Sequence, residues 1–272
     1  MKNTHKILVL AAVAFAVLLG TGCSKLKARD QLNKGVQAYK NTKYEQAIDH
    51  FQQAVSLDPS LINARLYLAT AFAQQYIPGA DTPDNNRYAE QAIDQYQEVL
   101  KKDPKNINSI KGIAYLYLQM KKFEQAKDYY KRASAADPND PEPYYSVAVI
   151  DWTQTYQPRQ EERAKLGMKP DESLPQKDKK VCAMLKEKNT PDIQEGIDNL
   201  NKALQLRPDY DDAAAYMNLM YRERADVQCD DKDARAADLK TADEWVDKTM
   251  IIKKAKAEKQ PGAQGIVMDQ KQ

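Results

Sequence analysis

The chain of 272 residues carries 29% charged and 42% hydrophobic residues, only 9 Gly, and 41 Lys+Arg against 39 Asp+Glu. That profile suits one or two helical domains better than a fibrous or membrane-embedded chain. Few stretches alternate in β-branched residues, so strands are not expected.

The N-terminus reads as an address rather than as part of the fold. Lys2 and Lys6 precede an apolar run, Ile7 to Leu19, that is short for a membrane span. Gly20, Thr21 and Gly22 then lead to Cys23. This resembles the lipobox of bacterial lipoproteins, although Gly20 stands three places before the Cys, where the family prefers Leu. The resemblance implies a signal peptide over 1–22, lipid attachment at Cys23 and a short linker over 23–27. An ordinary signal-peptidase site and an uncleaved anchor are the rival readings. Ser24 after the Cys implies the outer membrane, with the chain facing the periplasm. Removing 1–22 takes away two bases, Lys2 and Lys6, and no acid, so the mature chain is neutral. A neutral chain argues against nucleic acid as a partner.

From there one pattern recurs four times: a small residue, a bulky one four places on, Ala or Val three later, and Pro five after that. The copies are Ala47/Phe51/Ala54/Pro59, Ala92/Tyr96/Val99/Pro104, Ala126/Tyr130/Ala133/Pro138 and Gly196/Leu200/Ala203/Pro208. The first residues of each copy share one helix face, and the Pro ends that helix. Pro104 and Pro138 are 34 residues apart, while Pro59 to Pro104 is 45 and Pro138 to Pro208 is 70. The chain resembles the tetratricopeptide repeat, a helix–turn–helix unit of 34 residues. The resemblance implies an all-α solenoid of paired helices A and B wound into a right-handed superhelix. It also implies close A–B packing through Gly35, Ala69, Ala114 and Ala148 against Ala47, Ala92, Ala126 and Gly196.

Five units follow. Residues 28–61 and 107–140 are regular, whereas 62–106 carries an insertion around Ile77 to Pro83 and 141–210 a longer one over 153–189. Residues 211–256 form the fifth unit, whose last helix is expected to cap the solenoid through one apolar stripe of Leu239, Ala242, Trp245, Val246 and Met250. The remainder, 257–272, reads as a disordered tail. Both insertions fall in A-to-B turns, which in this architecture share one edge. Such an edge is either neutral loop growth or a decorated binding side.

Cys182 in the long insertion and Cys229 in the next A-to-B turn occupy that edge in adjacent repeats. In a chain addressed to an oxidising compartment they are expected to form a disulfide. Their 47-residue separation corresponds to about 4 kcal/mol in the chain-entropy account.

Chemistry finds little support. His50 stands alone on a helix, no His/Cys set has zinc spacing, and Asp230, Asp231 and Asp233 precede a helix that they can cap. No catalytic residue, metal or cofactor is expected. The family resemblance places the recognition groove on helices A, at Leu32, Val36, Tyr39, Lys111, Tyr115, Tyr145, Trp152 and Arg222. Leu32 and Val36 stand where chaperone-binding members carry Lys and Asn, so an apolar or amphipathic segment suits this groove better than an acidic C-terminus. The expected role is a non-enzymatic, lipid-anchored adaptor for protein partners of the cell envelope. A self-assembling scaffold and an envelope enzyme with its site in 153–189 are the alternatives.

Overall fold

The computed structural model describes residues 23–169 and 172–259. The signal segment 1–22 and the tail from 260 onward lie outside the described residues. Those described form eleven helices and no strand: α1 (residues 23–40), α2 (Tyr44–Leu57), α3 (Ile62–Gln75), α4 (Pro83–Lys102), α5 (Ile107–Gln119), α6 (Phe123–Ala136), α7 (Pro141–Lys165), α8 (Leu174–Lys177), α9 (Lys179–Leu206), α10 (Asp211–Asp226) and α11 (Lys232–Lys259). Among them no helix is long and apolar enough to cross a membrane. Two compact units divide after Tyr129, inside α6.

The Pro-ended turn is the same device each time. At Asp58-Pro59, Asp103-Pro104 and Asp137-Pro138 the Asp N–H closes the preceding helix on a carbonyl four residues back. The Asp carboxylate then accepts the N–H two residues on, from Ser60 at 3.0 Å, Lys105 at 3.3 Å and Asn139 at 3.1 Å. Such Asx turns satisfy a donor that the Pro has displaced from the helical ladder. In the fourth copy Arg207 replaces Asp and keeps only the backbone bonds, Arg207 N to Ala203 O and Tyr210 N to Arg207 O. Side-chain caps start the next helices: Asn106 accepts from Ser109 N, Asp140 from Glu142 N, and Asp178 from Lys180 N and Val181 N.

In the first unit α2, α3, α4 and α5 pack in sequence. The small residues of both helix types are buried here, and Ala47, Ala69, Ala92, Ala114 and Ala126 are wholly inaccessible. At Gly35 a Cβ would strike the Phe51 ring, and at Gly112 it would lie 2.6 Å from Tyr96 Cζ. Each glycine thus holds a seat for the bulky residue of a B helix, Gly35 for that of its own repeat and Gly112 for that of the preceding one. His50 is part of this packing, with Nδ1 2.7 Å from Gln31 Oε1.

In the second unit α7 packs on α9, α9 on α10 and α10 on α11. Its core gathers Ala148, Leu174, Leu185, Ile193, Ile197, Leu200, Met217 and Met220. Gly196 gives Met220 its place, as a Cβ there would overlap the Met220 methyl.

The long insertion is largely helix, whereas the repeat-two insertion keeps a loop over 76–82 before a lengthened α4. Against 14 residues in α2 and α6, α4 has 20, α7 has 25 and α9 has 28. Of segment 153–189, the beginning lengthens α7 and the end lengthens α9, leaving only α8 and short links between. Pro158 and Pro191 lie inside these helices although Pro ordinarily ends one. A tertiary contact and a local bond offset the cost: buried Asn189 on α9 donates to Thr155 O at 3.2 Å, and within α7 the Thr155 hydroxyl donates to Asp151 O at 3.0 Å.

The last helix differs from its expected stripe. Its inward face runs Asp238, Ala242, Trp245, Thr249, with Val246 and Met250 turned out at 40% and 65% exposure. A shift of one residue rotates a helical row by about 100°, and the inward row is set by polar anchors on α10. Arg224 grips Asp238 at 2.9 Å and 2.5 Å, and Lys256 pairs with Asp211. α11 also continues to Lys259, past the expected boundary at 256.

Candidate binding surface

In the first unit the expected groove residues Leu32, Val36, Tyr39 and Lys111 are half-buried, while Tyr115 stands 50% exposed on α5. Tyr39 lies edge-on to Tyr44 with centroids 5.3 Å apart, and burial raises its phenol above the ordinary value. A cavity of about 480 Å³ opens where the repeat-two insertion meets the α5–α6 turn, lined by Tyr76, Asp81, Glu90, Met120, Lys121 and Lys122. Its insertion wall is held by one residue that sequence reading did not single out. Asn85 accepts from Ile77 N at 2.7 Å and donates to Ile77 O at 2.9 Å and Ala80 O at 2.7 Å. An Asn two residues after a Thr-Pro start carries little signal of this, because its partners belong to an irregular loop.

In the second unit Tyr145 and Trp152 join an aromatic cluster. Tyr145 lies 4.9 Å from Tyr210 and 5.6 Å from Tyr216, and Trp152 lies 4.7 Å from Tyr156 and 5.5 Å from Tyr216. Burial pushes the Tyr145 phenol well above its usual value and that of Tyr210 up to about 12, so both remain neutral donors. Tyr156 carries this wall into a cleft of about 640 Å³ between the α7 extension, α10 and α11, bordered by Arg159, Arg163, Met168, Arg222 and Leu239. Arg222 is held at its edge by Asn218 at 2.8 Å and Asp243 at 2.7 Å.

The cleft's inner wall is an ionic network that the sequence reading missed. Arg159 bonds Glu223 twice and Asp226 once, at 2.8, 2.7 and 2.6 Å. Arg163 donates to Glu172 O at 3.0 Å and Lys169 O at 2.6 Å, which ties the loop after α7 into the wall. Two arginines in a Pro-containing insertion and two acids at the end of α10 gave no sign of burial. Only the helical extension brings Arg159 and Arg163 beside the end of α10.

The expected cysteine pair is in contact: the Cys182 and Cys229 sulfurs are 2.14 Å apart with Cα atoms 5.7 Å apart, in disulfide geometry. Cys23 is exposed and takes part in no disulfide among the described residues. Of the acidic cluster, Asp231 caps α11 through Ala234 N at 2.8 Å and Asp230 pairs with Lys179 at 3.1 Å. A second acidic group is assembled only in space. One oxygen each from Asp151, Asp192 and Glu195 lie within 4.8 Å of one another, and Lys131 meets Glu195 at 2.6 Å.

Residues 32–107 and 87–150 match two family models, both described as tetratricopeptide repeat. The fold is of the tetratricopeptide type. The matched stretch ends at 150, where the lengthened helices depart from the 34-residue spacing of the tetratricopeptide unit. Among solved structures, one titled as the MamA protein superposes with a TM-score of 0.60 at 12% identity, covering 89% of this chain and 98% of its own. Another, MamA from Desulfovibrio magneticus RS-1, gives 0.56 at 16% identity, covering 84% and 96%. At these identities the likeness is one of fold. Among curated proteins no sequence relative matches.

Proposed function

We propose that this chain is a lipid-anchored adaptor of the bacterial envelope that binds protein partners and carries out no catalysis. The observation that carries the reading is the tetratricopeptide fold with an open, arginine-rich cleft in its second unit that Tyr156 borders. Repeats of this kind build extended surfaces out of helix faces, and solenoids generally use such surfaces for partners. Tyr156 and the half-exposed Tyr115 supply large area with a polar handle, the residue type favoured at binding hot spots. The Cys182–Cys229 pair fits an oxidising compartment such as the periplasm. The lipobox-like sequence before Cys23 supports anchoring there, with Ser24 favouring the outer membrane.

Two experiments test this. Cys23→Ala in cells should abolish incorporation of labelled fatty acid and release the protein from the membrane fraction, and unchanged fractionation defeats the anchor. Photocrosslinkers placed at Tyr115 and Tyr156 in native membranes should capture a defined protein, with the yield falling at least fivefold when Leu239→Asp is added in the cleft. Equal yields with and without that change, or no adduct at either position, remove the adaptor reading.

A further inference from the structure

Beside the disulfide the second unit holds a smaller cavity of about 250 Å³, lined among others by Ser173, Lys179, Cys229, Asp230, Lys232 and Arg235. Two polar atoms of its lining are out of place for a structural wall. Arg235 Nε and Ser173 Oγ are both shielded from solvent, and neither has a hydrogen-bond partner among the described residues. Ser173 occupies the position before α8 where a hydroxyl ordinarily caps the helix, yet its side chain makes no cap bond.

Arg235 is also the exception among its neighbours. Arg159 and Arg163 on α7, and Arg222 and Arg224 on α10, each pair with a carboxylate from Glu223, Asp226, Asp243 or Asp238. Arg235 on α11 pairs with none among the described residues. The acid of the lining, Asp230, is engaged by Lys179 at 3.1 Å, so Lys232 and Arg235 leave the cavity with excess positive charge. Arginine presents a planar fork of donors suited to carboxylate and phosphate, and a buried donor left unmet retains its full desolvation cost until an acceptor arrives.

We propose that this cavity is an oxyanion subsite. A carboxylate or phosphate group enters it and accepts from Arg235 Nε and the Ser173 hydroxyl, with Lys232 adding charge at the mouth. The volume suits one such group and not a large cofactor. The subsite lies beside Cys182–Cys229 and shares Arg235 with the neighbouring cleft, but it is argued from the two unmet donors and does not depend on the adaptor reading.

The test uses the full chain, isotope-labelled, with the Arg235 Nε–H resonance followed at fixed ionic strength while inorganic phosphate or succinate is added. A saturable shift is expected, weakened severalfold in Ser173→Ala, and binding of the same probe followed by calorimetry should weaken at least tenfold in Arg235→Gln, with circular dichroism of both variants unchanged. Should Arg235→Gln unfold, Arg235→Lys keeps the charge, lacks the Nε–H and is expected to show the same loss by calorimetry. Saturation by both probes identifies a carboxylate-bearing ligand as an occupant, and saturation by phosphate alone identifies free phosphate. A response that never saturates, or one equal in wild type and Ser173→Ala, overturns the proposal.

Discussion

Arg159 holds Glu223 in a two-point grip, Nε to Oε2 at 2.8 Å and Nη2 to Oε1 at 2.7 Å, between residues 64 apart in sequence. Both side chains are nearly inaccessible, at 11% and 1% exposure. This pair fastens the α7 extension to α10 and forms the floor of the cleft.

Breaking that grip from one side leaves a buried acid with an incomplete shell. Arg159→Ala should lower the stability of the second unit by about 3–5 kcal/mol. Replacing both partners, Arg159→Met with Glu223→Leu, should recover a substantial part, since the desolvation of two charges disappears with them. Urea denaturation of the two variants checks this, and a double variant less stable than the single one contradicts it.

Glu223 also makes stability depend on pH. Burial, its largest influence, pushes the carboxyl up from 4.5 to about 7, against the pull of Arg159 and Arg163. Between these values the folded chain holds a proton that the unfolded chain has released. The resulting contribution is fully present below pH 4.5 and is lost as pH rises through 7. Glu223→Gln should therefore flatten the fall of Tm between pH 5 and pH 8 relative to wild type. Parallel curves for the two proteins would show that Glu223 does not titrate there.

In the first unit the corresponding anchor is neutral. Asn85 is buried and satisfies three backbone groups of the insertion at once. Asn85→Ala leaves those groups unmet and should cost about 2–4 kcal/mol, beyond the loss of one ordinary hydrogen bond. Hydrogen exchange at Ile77 should rise sharply in the variant, and unchanged protection there would mean the loop is held by other contacts.

The regular part of the fold was legible because it repeats. Ala47, Ala69, Ala92, Ala114 and Ala126 are all wholly buried as the repeat pattern requires, and each Asp-Pro turn uses the same bonds. The insertions were located by counting between prolines, but their conformation was not readable. Pro158 and Pro191 signal helix ends locally, and only packing against distant residues such as Thr155 and Asn189 overrides them. The same limit hid the Arg159–Glu223 pair, since both residues look like ordinary surface charges until the helices lengthen. Trp152 and Tyr145 were recognised as special by type and repeat position, yet their partner Tyr216 comes from the following repeat and Tyr210 from the turn just before it.

The disulfide offers the last test, because it joins the start of the α9 extension to the α10–α11 link. Its loop spans 47 residues, and the chain-entropy account assigns such a closure roughly 4 kcal/mol. Cys182 is wholly buried, so removing the bond also leaves a polar or undersized group beside Leu185 and Val227 if Ser replaces it. Cys182→Ala with Cys229→Ala avoids that extra penalty and should lower stability by about 2–4 kcal/mol, concentrated in the second unit. Reduction of the wild-type protein should produce a similar loss. Protease cleavage followed by mass analysis should then show new cuts between 166 and 182 in both cases, with the first unit spared. A reduced protein as resistant as the oxidised one would assign the hold on this edge to the Arg163 and Asp178 contacts instead.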